Sequence, residues 1–309
     1  MEKLVFLFPG QGSQYVGMGR ELAARYSEAE EVFAVADTAL GFPLRDVMWH
    51  GPTERLAQTE ITQPAILTFS IALHRVLAAH KITPAAAVGL SLGEYSALVA
   101  AGAIGFNEAV RLVRERGRLM QEAVPAGDGA VAAVMGLDAP LVEQACARAG
   151  AVGIVAVANY NCPGQVVVAG ETAAVDAALS ECSARGAKRT VKLPVSAPFH
   201  TVLLSGAGEA LRPYLASLTF SPMLIPVVSN VTADYHTPGE LVSSLVAQVS
   251  SPVRFEACIR RLLADGYRSF IEVGGTSLAS FVRRIDKEAR VRSVENKDDF
   301  AQLLECRNT

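Results

Sequence analysis

Charge of one sign is scarce in this chain: 28 Lys and Arg stand against 31 Asp and Glu in 309 residues, a net of −3. No global basic field is available to draw in nucleic acid, and an acidic partner would have to be met by a local patch. Cysteines are few. The five (Cys146, Cys162, Cys182, Cys258 and Cys306) are scattered with no CxxC pair. That argues against a zinc site or disulfide framework and for a reducing compartment. Met1–Pro9 lacks a basic n-region and a cleavage site, so it reads as a first strand rather than a signal peptide. No apolar run reads as both long enough and free enough of breakers to span a membrane. Internal repeats and low-complexity tracts are also missing. The expectation is a cytoplasmic protein, a monomer, with neither nucleic acid nor membrane among its partners, and with no metal or bound cofactor.

Half of the residues are hydrophobic, ample for a large core. Strand-like runs alternate with amphipathic stretches. Leu4–Phe8 and Ala86–Leu90 read as strands, and helices are expected within 17–39 and 63–80, over Ser91–Ala101 and over Asn107–Val124. This is an α/β pattern with a parallel sheet covered on both faces. The middle of the chain differs. Ala130–Leu137, Ile154–Asn159, Gln165–Ala169 and Lys188–Val195 read as strands, with helices at Ala139–Ala149 and Thr172–Arg185. The order β-α-β-β-α-β is ferredoxin-like. It predicts a small inserted domain over 126–195, leaving 1–125 and 196–309 to the large one. Beyond it, helices are expected at 201–217, 239–249, 254–265 and 277–289, strands at 224–229, 267–273 and 291–295, and a short helix at the end.

The strongest chemical signal is Gly89-Leu90-Ser91-Leu92-Gly93, a GxSxG between a strand and a helix. Glycines two residues to either side permit a sharp turn that pushes the serine hydroxyl out at a helix N-terminus. The competing reading is a helix cap, because Ser91-x-x-Glu94 is also a capping box. A serine nucleophile needs a base. Of five histidines, His74 and His80 fall in a helical stretch, and His50 and His236 in polar loops. His200 ends the stiff loop Ser196-Ala197-Pro198-Phe199-His200 just before a helix, whose N-terminus would keep the ring neutral. A structural histidine is the alternative. The first loop, Phe8-Pro9-Gly10-Gln11-Gly12-Ser13-Gln14, fits neither the Walker nor the dinucleotide pattern, since Tyr15 stands where the third glycine of the latter should be. A backbone N–H offered to an oxyanion suits it as well as a phosphate cradle.

Arg116 lies on the apolar stripe Ala109, Leu112, Val113, Met120, Ala123 and Val124 of its helix, whereas Arg111, Arg114 and Arg118 fall on the polar side. An inward guanidinium needs an anionic or hydrogen-bonding partner. Either an internal carboxylate such as Glu94 supplies it, or a substrate carboxylate does.

Five segments (FPGQGSQ, SLGEYSALVAAG, RGRLMQEAVPAG, NYNCPGQVVVAG and LPVSAPFH) come in the order found in malonyl-CoA:acyl carrier protein transacylases, which the chain resembles over nearly its whole length. The resemblance implies an α/β-hydrolase-like large domain with an inserted ferredoxin-like small one. It implies Ser91 as nucleophile and His200 as base, with oxyanion donors at the backbone N–H groups of Gln11 and Leu92. Arg116 becomes the malonyl carboxylate anchor, and the Gln248 carbonyl orients the histidine. Asn159, Asn161 and Arg189 match cleft-lining positions, and Phe199 resembles members that take malonyl rather than branched units. The substrates implied are a coenzyme A thioester and an acyl carrier protein or polyketide synthase carrier domain. Leu90 stands where members serving fatty-acid synthesis usually have histidine. That resembles free-standing enzymes that load polyketide synthases in trans, with the housekeeping enzyme as the alternative. A carrier-protein hydrolase and a non-catalytic docking protein are rivals, both disfavoured by Arg116 in company with Ser91 and His200. The densest basic cluster, Arg283, Arg284, Lys287, Arg290 and Arg292, is either a carrier docking patch or a solvated helix face.

Overall fold

β1 (Leu4–Phe8) is apolar at every position because both of its faces are covered. Phe6 and Phe8 pack into one core with the helices on their side, and Val5 and Leu7 into another. The computed structural model describes residues 3–125, 127–195 and 197–305. β1 lies at the centre of a five-stranded parallel sheet with β2 (Ala86–Gly89), β7 (Val227–Val228), β8 (Ser269–Val273) and β9 (Arg290–Val294), in the order β7-β2-β1-β8-β9. The ends of β1 and β2 are in register at Phe8 and Gly89, which brings the first loop and the serine turn side by side at one edge of the sheet.

The second sheet is antiparallel, in the order β4-β5-β3-β6: β3 (Gly129–Met135), β4 (Val155–Cys162), β5 (Gln165–Glu171) and β6 (Arg189–Lys192). Helices Ala139–Ala149 and Thr172–Ala184 cover one face. The other face presents Val131, Ala158, Val167 and Ala169, packed with Val195 and Phe199. β4 is tied to the rest of the chain by backbone bonds, Tyr160 N–H to Val253 O (2.9 Å) and Val253 N–H to Ala158 O (2.8 Å). Arg284 adds bonds from its guanidinium to Gln165 Oε1 (2.7 Å) and Pro163 O (2.6 Å).

The fold is the mixed α/β arrangement expected, with a parallel sheet and a small antiparallel one. The expected boundaries of the small domain fall beside Ala126 and Ser196, outside the described residues, as does Cys306. Two helices were not foreseen, Leu44–His50 and Thr53–Leu56. They are short and separated by Gly51-Pro52, which masks their periodicity. The strand expected at 224–229 shrinks to Val227–Val228. The helix expected within 63–80 starts earlier, at Thr59, and carries Pro64 inside it. This Thr59–Ala79 helix corrects the expectation about membrane-length runs. Its 21 residues are long and apolar enough to cross a membrane, but 83% of its apolar window is buried inside the protein, as befits a core helix.

The crossing of the serine turn over β1 sets hard steric limits. A Cβ on Gly89 would lie 1.8 Å from the Gly93 carbonyl carbon, and one on Gly93 would lie 2.0 Å from Phe8 O. Backbone cannot yield there as a flexible side chain would. Gly89→Ala is expected to cost about 3 kcal/mol or more in denaturant unfolding. Gly206→Ala, in helix Ser205–Ala216 with nothing within 4 Å of its would-be Cβ, should instead add about 0.5–1 kcal/mol.

Candidate active site

Ser91 follows β2 with φ of 53°, a left-handed conformation uncommon for a residue with a side chain. The Asn230 side chain holds this turn in place: its Oδ1 accepts from Ser91 N–H (2.7 Å) and its Nδ2 donates to Gly89 O (2.7 Å). The cap alternative for Ser91 is thereby overturned. Helix Gly93–Ala100 has Leu92 at its N-cap and no side-chain cap bond, and the hydroxyl is used elsewhere. Ser91 Oγ lies 2.7 Å from His200 Nε2. His200 Nδ1 lies 2.9 Å from Gln248 O, an acceptor only, so Nδ1 carries the proton and Nε2 is left to accept from the serine.

Burial, and after it the neighbouring Arg116, push the His200 imidazole down from its ordinary 6.5 to about 4. The ring is neutral, as the sequence led us to expect, but for another reason. His200 is separated from helix Ser205–Ala216 by the 3-10 turn Val202–Leu204, and what lowers its pKa is desolvation first and the nearby Arg116 second.

Arg116 is 1% exposed on helix Phe106–Glu122. Its Nη1 donates to Gln63 Oε1 (2.8 Å), and its Nη2 to Gln248 Oε1 (2.9 Å) and Ser91 Oγ (3.1 Å). The guanidinium sits 5.3 Å from the centre of the Tyr95 ring. Among the described residues no carboxylate forms an ion pair with it. Glu94, the internal partner considered from the sequence, points instead at His236, Asn230 and Gln248.

These groups open onto a cleft of about 590 Å³ between the two sheets. Gln11, Leu92, Leu90, Asn159, Asn161 and Phe199 all line it. Among the described residues nothing accepts from the backbone N–H of Gln11 or Leu92, so both donors remain available to a ligand. Arg189 departs from expectation. It is exposed at the start of β6, opposite Met135, and does not line the cleft. The basic cluster near the C-terminus is partly spent on internal bonds: Arg283 donates to Val291 O, and Arg284 ties down the β4–β5 turn. His236, read as a loop residue, is buried, and His50 ends a helix. His74 packs edge-on against Phe6.

Four residues of the site escaped the sequence reading: Gln63, Asn230, His236, and Glu94 in its observed role. Glu94 carried a usable signal. It sits four residues before Leu98 on a helix with a buried face, the same inward placement that singled out Arg116. Asn230 and Gln63 had none, since an amide in a turn or on an apolar helix has no pattern of its own.

The acyl transferase domain family matches residues 5–295. The chain belongs to the acyl transferase family. Among members of known name, the malonyl CoA-acyl carrier protein transacylase of Bacillus subtilis is 43% identical over 99% of this chain and 97% of its own. The crystal structure of an acyl carrier protein S-malonyltransferase from Vibrio cholerae superposes with a TM-score of 0.94 at 42% identity, covering 98% of this chain and all of that one. A malonyl-transacylase in complex with a type II PKS acyl-carrier protein superposes with a TM-score of 0.96 at 39% identity, covering 98% and 99%.

For this acyl transferase the state of His200 has a direct kinetic consequence. An imidazole can accept a proton only when neutral, so if His200 serves as the base, lowering the pH should abolish activity as it gains a proton. With its pKa at about 4, the acid limb of kcat/KM should be centred within about one pH unit of 4. A limb centred near 6.5, the ordinary histidine value, would contradict the assignment.

Proposed function

We propose that the chain transfers a malonyl group from malonyl-CoA to the phosphopantetheine thiol of an acyl carrier protein, through an ester on Ser91. The observation that carries this reading is the pairing of a serine–histidine dyad with a buried arginine that, among the described residues, forms an ion pair with no carboxylate. The division into a large domain, 1–125 and 196–309, and a small one, 126–195, belongs to the same proposal, with the cleft between them as the reaction site.

Ser91 Oγ attacks the thioester carbonyl while its proton passes to His200 Nε2. The Gln248 carbonyl on Nδ1–H stabilises the imidazolium that forms. The carbonyl oxygen becomes an oxyanion held by the N–H groups of Gln11 and Leu92, each such donor contributing ~2.7–4 kcal/mol. Collapse breaks the C–S bond, and coenzyme A leaves as a thiol with the proton from His200. The carrier thiol then enters, gives its proton to His200 and attacks the ester. Ser91 departs and recovers the proton. Throughout, the malonyl carboxylate pairs with Arg116. Phe199 places its ring in the cleft, where bulk beside the acyl α-carbon would disfavour branched units.

On pathway, the housekeeping role in fatty-acid synthesis is the better supported. Full-length similarity to the Bacillus subtilis enzyme favours it. Leu90, the residue that suggested polyketide loading in trans, has a packing role that accounts for it: it is partly buried against the core on the Val5 and Leu7 face of the sheet. Its backbone oxygen lies 2.5 Å from where a Cβ on Gly10 would be. The partner expected is then the fatty-acid carrier protein of the host.

Arg116→Ala should lower kcat/KM for malonyl-CoA by a hundredfold or more, since breaking a buried charge pair costs ~3–5 kcal/mol. Acetyl-CoA, which has no carboxylate to place, should lose far less. A variant that keeps its malonyl-over-acetyl preference would exclude Arg116 as the anchor. In carrier competition, the fatty-acid carrier should be malonylated at least as fast as a polyketide carrier domain, and a strong preference for the latter would reinstate the trans-loading role.

A further inference from the structure

Glu94 is fully buried and touches none of the reacting atoms, yet two of its three side-chain bonds lead back to them, through Asn230 and Gln248. Its Oε1 accepts from His236 Nε2 (2.6 Å). Its Oε2 accepts from Asn230 N–H (3.0 Å) and from the side-chain amide of Gln248 (2.7 Å). Asn230 holds the left-handed turn at Ser91. Gln248 does more. Its Nε2 also donates to Ser91 O (3.0 Å), its Oε1 accepts from Arg116 Nη2 (2.9 Å), and its backbone carbonyl accepts from His200.

The orientation of the Gln248 amide follows from its neighbours. Arg116 can only donate, whereas Ser91 O and the Glu94 carboxylate can only accept. Reversing the amide would set donor against donor at Arg116 and acceptor against acceptor at Glu94. Arg116 and Ser91 O each favour this orientation, and a carboxylate at position 94 adds a third constraint on it. An amide there would withdraw that third constraint, because it can donate or accept at either end. The same geometry keeps the two buried charges apart. Glu94 is already bonded to three donors, and the Gln248 amide stands between it and Arg116, so the two charges act on each other without forming a direct ion pair.

We propose that Glu94 is a positioning residue for acyl selectivity: by anchoring the Gln248 amide through a charged hydrogen bond, it reinforces the orientation that keeps Arg116 at the cleft among neutral acceptors, where a substrate carboxylate completes its coordination. This rests on the reading of Arg116 as the carboxylate anchor. His236 serves the arrangement by holding Glu94 Oε1 away from the arginine.

The test is a double-mutant cycle read as the ratio of kcat/KM for malonyl-CoA to that for acetyl-CoA. Glu94→Gln preserves shape and should lower this ratio about tenfold or more, the size of one hydrogen bond to a charged group. In an Arg116→Ala background the same substitution should change the ratio by less than about twofold, because it acts through the arginine. A ratio untouched by Glu94→Gln, or lowered equally in both backgrounds, overturns the proposal. An Arg116→Ala enzyme that retains the wild-type ratio overturns the anchor reading itself, and the proposal with it. Should Glu94→Gln fail to fold, His236→Leu tests the same link. It should lower the ratio, and His236→Gln, which can still donate to the carboxylate, should restore it. An unchanged ratio in His236→Leu overturns the proposal equally.

Discussion

A guanidinium stripped of water and given only neutral oxygens to bond is the constraint on which this site depends. Burying Arg116 costs solvation that Gln63, Gln248 and the Ser91 hydroxyl repay only in part. The deficit makes an incoming carboxylate the natural complement of the cleft. The same charge acts on the dyad. It helps burial to keep His200 neutral, and it donates to the Ser91 hydroxyl. In the proposed reaction, recognition and reactivity would thus draw on one side chain.

The fold supplies what that arrangement requires. Ser91 comes from the end of a central parallel strand, His200 from a loop far along the chain, and Arg116 from a helix packed beneath both. Gln248, from helix Leu241–Ser250, bonds to all three. The second sheet, whose strand β4 packs on helices Phe255–Ala264 and Ser277–Ile285, supplies the other wall of the cleft. Strand β4 is fixed to the body by its backbone bonds with Val253, and the β4–β5 turn by Arg284.

Much of this was legible in the sequence, for identifiable reasons. The parallel strands were visible because burial on both faces makes them continuously apolar, as in Leu4–Phe8. Ser91 was visible because a strained turn demands glycines at fixed offsets. Arg116 was visible because a charge on an apolar stripe breaks a pattern. That Ser91 and His200 meet came from the family resemblance, since 109 residues separate them and no local rule joins them. The Asn230–Glu94–His236 layer was invisible as a unit, because its members are scattered and each alone has an ordinary explanation. Leu90, which suggested polyketide loading, also packs against the core, so its identity has a structural reason of its own. Arg189, matched to a cleft-lining position by the family resemblance, is exposed at the start of β6.

The proposed mechanism requires a covalent malonyl ester on Ser91, held because Arg116 engages its carboxylate. Intact-protein mass spectrometry after brief mixing with malonyl-CoA would detect it. One added malonyl mass is expected, mapped to Ser91, absent from Ser91→Ala and discharged on adding phosphopantetheinylated carrier protein. An adduct that persists in Ser91→Ala, or one that the carrier cannot remove, would contradict it.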